Sequence, residues 1–202
     1  MSHSWWYLSR ASGIVAWSLL AASVLWGLLL STRVFDRKPG PKWLTDLHRF
    51  LGGTAVVFVA IHVGTIVADT YVHFGAADVL VPLATKWHPV AVDWGVVAMW
   101  VLLAVEISSL AMRRLPRRVW HAIHLSSYAL FLSATVHALA AGPDTRKQTF
   151  ELVLSAVLAV LILLTMVRVT TRKGKRPARA PAPARVSRAA SAESELVDTT
   201  PQ

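Results

Sequence analysis

Four histidines in this 202-residue chain, His48, His62, His124 and His137, lie in or beside long uncharged stretches. His48 and His62 are 14 residues apart, and His124 and His137 are 13 apart. An ionisable side chain in a membrane span is expensive and marks a functional site by default. Neutral imidazole is a good axial ligand to haem iron, and two facing imidazoles at one depth can clamp a flat metal macrocycle. His62 and His137 each precede an aspartate, Asp69 and Asp144, by seven residues, which sets them at similar depth. His48 and His124 form a second level, about 20 Å away at ~1.5 Å of helix rise per residue. Two clamps so stacked would let an electron cross a bilayer without moving a charged group. Zinc fits less well, because compact zinc sites want ligands a turn apart with a carboxylate or thiolate nearby.

Such clamps require helices that run the same way, and the composition supplies them. The chain is 54% hydrophobic and only 16% charged, against about 25% charged in a soluble domain. Its apolar residues cluster into five candidate spans: Ala11 to Thr32, Phe50 to Ala68, Asp93 to Arg113, Val119 to Pro143 and Leu152 to Val167. About 20 apolar residues cross a bilayer as a helix. The fifth stretch is the shortest and lengthens if Arg168 snorkels. The first is too long for a signal-peptide core, so the chain is expected to stay in the membrane. Spans two and four, which carry the histidines, are therefore parallel. One objection comes from geometry. At 100° per residue, 14 steps return to within ~40° of the starting face, whereas 13 steps miss by ~140°. Replacing His124 by His121 gives 16 steps and is no better. Span four must tilt, bend or carry a π-bulge.

Cations set the orientation. Arg33, Arg37, Lys38, Lys42 and Arg49 follow span one, and Arg113, Arg114, Arg117 and Arg118 follow span three. Arg168, Arg172, Lys173, Lys175, Arg176, Arg179, Arg185 and Arg188 follow span five. The opposite side holds only Arg10, Lys86, Arg146 and Lys147. The reading is an all-α integral membrane protein, a five-span helical bundle with its N-terminus outside and a disordered cytoplasmic tail. The net charge of +10 is thus a topology signal, with anionic-lipid attraction secondary, and no nucleic-acid partner is expected. Residues 1–170 form the membrane domain, and 171–202, rich in Pro, Ala and Arg, form the tail. The absence of cysteine excludes a disulfide scaffold, thiolate metal sites, Fe–S clusters and covalent c-type haem. The half-apolar loop from Thr70 to Trp87 lies on the membrane surface or folds over the outer end of the bundle.

Two segments are more specific than composition. His48-Arg49-Phe50-Leu51-Gly52-Gly53 leads to His62, and Trp120-His121-Ala122-Ile123-His124-Leu125-Ser126-Ser127-Tyr128 leads to His137. Residues 5 to 168 resemble the ferric reductase-like transmembrane domain, shared by NADPH oxidases, ferric reductases and the haem subunit of bacterial methionine-sulfoxide reductase systems. The resemblance implies two bis-histidine b haems, His48 paired with His124 and His62 with His137, and favours His124 over His121. The superfamily commonly has six spans, and five are counted here. NADPH oxidases and eukaryotic ferric reductases continue into a cytosolic flavin and nicotinamide module. The 30-residue polar tail here has no glycine-rich phosphate loop, so no flavin or nicotinamide site is expected in this chain.

Haem propionates need cationic partners, and Arg49 and Arg10 are placed to serve the inner and outer haems, or else are ordinary flanking residues. Gly52, Gly53 and Gly64 either let a macrocycle approach the backbone or serve helix packing. Glu106 pairs with a basic loop residue or accepts a proton coupled to electron transfer. Tyr128 bonds a propionate, backs a ligand or merely satisfies its hydroxyl. His73 and His88 read as solvated loop residues, and most tryptophans as an interfacial belt.

The function expected is a di-haem b cytochrome, an oxidoreductase electron-transfer subunit. Its donor would be a separate cytosolic flavoprotein or membrane quinol. Its acceptor would be an outer-face flavin protein, ferric chelate or oxidised protein. The alternative is a haem-free helical scaffold or small transporter whose histidines bind protons or substrate.

Overall fold

The computed structural model describes residues 2–32, 42–70 and 72–173. Long uncharged segments cannot leave backbone N–H and C=O groups unpaired in hydrocarbon, so they coil into helices. These are α1 (Ser2–Thr32), α2 (Lys42–Ala68), the short α3 (Ala76–Leu80), α4 (Pro89–Leu110), α5 (Arg117–Leu125), α6 (Ser127–Ala141) and α7 (Gln148–Lys173). A 3-10 turn over Pro143–Arg146 joins α6 to α7. Helices α1, α2, α4, the α5–α6 pair and α7 supply five segments long and apolar enough to cross a membrane. The protein is an all-α integral membrane bundle. The loop cations Arg33, Arg37 and Lys38, and the tail from residue 174, lie outside the described residues.

Prolines mark two helix starts. Pro89 opens α4 after His88, whose φ of 41° is left-handed, and Pro116 precedes α5. Span four is not one helix. At Ser126 ψ is −7°, and its backbone N–H donates to the Ile123 carbonyl at 3.0 Å. The Ser126 hydroxyl donates to the same carbonyl at 2.6 Å. A three-residue turn of this kind winds faster than an α-helix, so α5 and α6 take separate azimuths. The awkward 13-residue spacing thus spans a break between two helices, and no π-helical turn occurs in it.

Helix α1 packs against α2 and α6, and α4 packs against α2, α5 and α6. Among the described residues α2 has no close backbone packing with α5 or α6. The two histidine-bearing spans therefore stand across the bundle from each other, with α1 and α4 on the flanks. One buried cluster gathers Trp17, Leu28, Phe131 and Leu161, and another Leu20, Ala55, Ala98, Leu102 and Leu130. Large apolar side chains such as Ile107, Leu132 and Ile162 point outward, as lipid-facing residues do.

Below, the end at which α1 begins is the upper end and the opposite one the lower. At the upper end the loop before α4 folds over the bundle. The Trp100 indole donates to the Leu80 carbonyl at 2.8 Å, and Asp93 accepts the Leu83 N–H at 2.5 Å. Leu83 itself sits at φ 65°.

Candidate functional site

The gap between α2 and the α5–α6 span is bridged at two levels by histidines. At the upper level the His62 and His137 ring centres are 6.2 Å apart, with planes at 77°. At the lower level His48 and His124 are 5.9 Å apart, also at 77°. Two imidazoles bonded end-on to one metal would have centres roughly 6.3 Å apart, from metal–nitrogen bonds of about 2.0–2.1 Å and ~1.1 Å from nitrogen to ring centre. The upper pair, at 6.2 Å, meets that spacing, and the lower pair, at 5.9 Å, is slightly inside it. His121 is exposed and stands beside Trp120, outside the pair.

Hydrogen bonds orient the upper rings. His62 Nδ1 lies 2.8 Å from the Ser9 carbonyl, and His137 Nδ1 lies 2.7 Å from the Ala91 carbonyl. A carbonyl only accepts, so Nδ1 carries the proton and Nε2 keeps its lone pair, the arrangement a metal-ligating histidine requires. Each acceptor lies four residues before a glycine. A Cβ on Gly13 would come within 3.0 Å of His62, and one on Gly95 within 2.7 Å of His137. Glycine at these points removes the side chain that would block the imidazole from its carbonyl.

At the lower level the pattern is half repeated. His48 is hydrogen-bonded to the Ser23 backbone and its Nδ1 lies 3.4 Å from Ser23 Oγ, and a Cβ on Gly27, four residues on, would sit 3.0 Å from the His48 ring. No described glycine lies against His124. Trp120 stacks on His124 at 5.2 Å and 20°, and Trp120 Nε1 and His124 Nδ1 are both buried without a hydrogen-bond partner among the described residues. The Trp120 N–H is an unpaired donor, and His124 Nδ1, which donates or accepts according to tautomer, has nothing that fixes which.

The upper imidazoles line a mostly apolar cavity of about 340 Å³, with Gly13, Gly95, Phe74 and Trp87 among its walls. That is within the range of small-molecule and cofactor pockets, roughly 300–1,000 Å³. Phe74 and Trp87 meet edge to face at 5.8 Å, so the loop from Thr70 to Trp87 covers the cavity instead of lying apart on the membrane surface. Arg10, expected to serve a propionate, donates from Nε to Asp144 at 2.9 Å and lies 4.1 Å over the Trp6 ring. A second Arg10 nitrogen also contacts Asp144, and Lys147 pairs with the same carboxylate at 2.8 Å. Lys147 and Arg10, hydrogen-bonded to it, hold the Asp144 carboxyl below the usual carboxylate range. Arg49 is exposed and makes no hydrogen bond or ion pair among the described residues.

Residues 12–135 match the sequence profile of the ferric reductase like transmembrane component family. The chain belongs to that family. The matched stretch holds all of α2, α4 and α5, both lower histidines, His62 and the three glycines of the imidazole contacts. Membership makes this a membrane electron-transfer component of a group that generally binds haem and works with a redox partner. Against curated proteins and solved structures the chain has no significant match.

The glycines that meet the imidazoles are not those singled out from sequence for a macrocycle or for helix packing. Gly53 and Gly64 have nothing within 4 Å of an added Cβ, and Gly52 meets Glu106. Gly13, Gly27 and Gly95 carried a legible signal. Ser9 with Gly13 and Ser23 with Gly27 repeat at 14 residues in α1, the same interval as His48 to His62 in the packed neighbour.

Proposed function

We propose that this protein is a di-haem b-type cytochrome that passes electrons across the membrane. His62 and His137 would hold one haem, and His48 and His124 the other. The observation that carries the reading is the pair of facing imidazoles at ligand spacing, on two levels, across a gap between helices that do not pack on each other. When bound, the iron supplies one-electron chemistry at a potential set by ligands, burial and hydrogen bonding. The chain's own residues do the rest. Ser9 and Ala91 carbonyls fix the upper tautomers, the glycines admit the rings, and Phe74 with Trp87 shields the upper cavity from water. Two protein ligands per iron leave no open position, so the site suits electron transfer over oxygen binding.

The cation-rich loops put the lower end on the cytoplasmic side, with residues 1–170 as the membrane domain and 171–202 as a tail. Electrons would then enter at the lower level from a separate flavoprotein or quinol. They would leave at the upper level to an outer-face protein or ferric chelate. Arg10 would turn from Asp144 toward a propionate only in part, since Lys147 remains as the carboxylate's second cation. Arg49, without a partner among the described residues, would serve the lower haem. The test is a reduced-minus-oxidised absorbance spectrum with haem counted per purified chain. Two b-type haems are expected. A colourless protein that takes up no haem on addition would sink the proposal.

A further inference from the structure

Among the described residues, Glu106 is a carboxylate well inside a candidate membrane span that the scheme above does not use. Glu106 lies on α4, four residues before its end at Leu110. It has no hydrogen-bond or ion-pair partner among the described residues, and the pairing with a basic loop residue expected from sequence is not seen within them. Its carboxyl rests against α2 at Gly52, where an added Cβ would collide with Oε1. Gly52 is four residues after His48 and ten before His62. Glu106 is therefore about 6 Å along α2 from the lower histidine level and about 15 Å from the upper, at ~1.5 Å per residue.

An unpaired carboxylate in hydrocarbon is strongly disfavoured. A bis-imidazole ferric porphyrin core carries one net positive charge, and the ferrous core carries none. We propose that Glu106 is the counter-charge of the lower haem, ionised when the iron is ferric and protonated when it is ferrous. This rests on the di-haem reading. One electron from the donor reduces the iron, and one proton from the aqueous phase at the lower end converts the Glu106 carboxylate to carboxylic acid. Oxidation releases both, so net charge at this level stays constant. Gly52 makes the approach possible, because any side chain there would displace the carboxyl. Titratable and charged groups on the elements packed against α4 are Lys42, Asp46, His48, Arg49 and His62 on α2, Arg117, Arg118, His121 and His124 on α5, Tyr128 and His137 on α6, and Asp78 on α3. None makes a hydrogen bond or ion pair with Glu106 among the described residues.

The test is spectroelectrochemical titration of the purified full chain at several pH values between about 6 and about 8. The lower-haem transition is expected to fall as pH rises, approaching ~59 mV per unit for one proton per electron, while the upper stays nearly flat. A His62→Ala/His137→Ala chain, retaining only the lower haem, assigns the transitions. Glu106→Gln should keep both haems and abolish the slope. Gly52→Ala should keep the haems and reduce it. Infrared difference spectra of the native protein should gain a carboxylic-acid C=O band on reduction, which needs no folded variant. A flat lower transition in the native protein, a slope surviving in Glu106→Gln, or no such band would overturn the proposal with the di-haem reading intact. Failure of that reading is separate and visible first, as absent haem absorbance.

Discussion

The upper and lower histidine levels share ligand type, spacing and ring angle, yet they are not equally built. Above, both Nδ1 atoms reach helix carbonyls at 2.7–2.8 Å, each over a glycine. Below, His48 repeats the pattern with the Ser23 backbone and Gly27, and the difference lies at His124, whose Nδ1 has no partner among the described residues. The upper histidines sit on continuous helices, whereas His124 sits on a nine-residue helix that ends at the Ser126 break. Outer contacts orient a metal ligand and typically change metal affinity 10–100-fold. The upper level is thus preorganised and the lower adaptable. Glu106, against Gly52, is nearer the lower level than the upper.

The sharpest way to break this comparison is to remove one level. His62→Ala with His137→Ala should halve the haem from two to one per chain and leave the lower spectrum intact. Loss of both haems would show that the levels do not form independently. Next in size is overpacking. Gly95→Ala puts a methyl 2.7 Å from His137 Nδ1, and crowding of this kind costs about 1–3 kcal/mol. Upper-haem retention should weaken roughly tenfold, measured by haem titration of the apoprotein. Gly27→Ala, at 3.0 Å from the His48 ring, should do less to the lower haem.

A subtler contrast is kinetic. With excess apomyoglobin as acceptor, the lower haem should leave first, by about tenfold if the outer contacts have their usual weight. Equal rates would erase the distinction. The smallest effect concerns the clasp at the upper end. Asp144 is held below its ordinary pKa by Lys147 and Arg10. Its contribution is therefore full above the unfolded value, about 3.9, and is lost as pH falls through the lower folded value. Asp144→Asn should lower thermal stability slightly at neutral pH, and the difference should vanish in stronger acid. A difference that grows in acid would mean the ion pair is not its source.

Five spans, the parallel course of the histidine-bearing pair and the two levels all followed from uncharged run length and residue intervals. Those quantities are one-dimensional, and a helix converts them directly into depth. Which glycines meet the rings did not follow, because contact between α1 and α2 depends on both helices' azimuths. Even so, the matched 14-residue intervals of Ser9/Gly13 with Ser23/Gly27 and of His48 with His62 held the information. The Ser126 turn was legible only as a contradiction between 13 residues and a 3.6-residue period. Nothing local in the sequence said where the helix would yield.

By itself, then, the chain determined what crosses the membrane and at what depth its imidazoles sit, since apolar length and helical rise need no partner. Only the tertiary structure decided which ring nitrogen is tied down, that Asp144 engages Arg10, and that Glu106 rests against Gly52. Each of these turns on a contact between helices far apart in the chain. Such contacts depend on how neighbouring helices rotate to fill space, and no interval along one helix encodes that rotation.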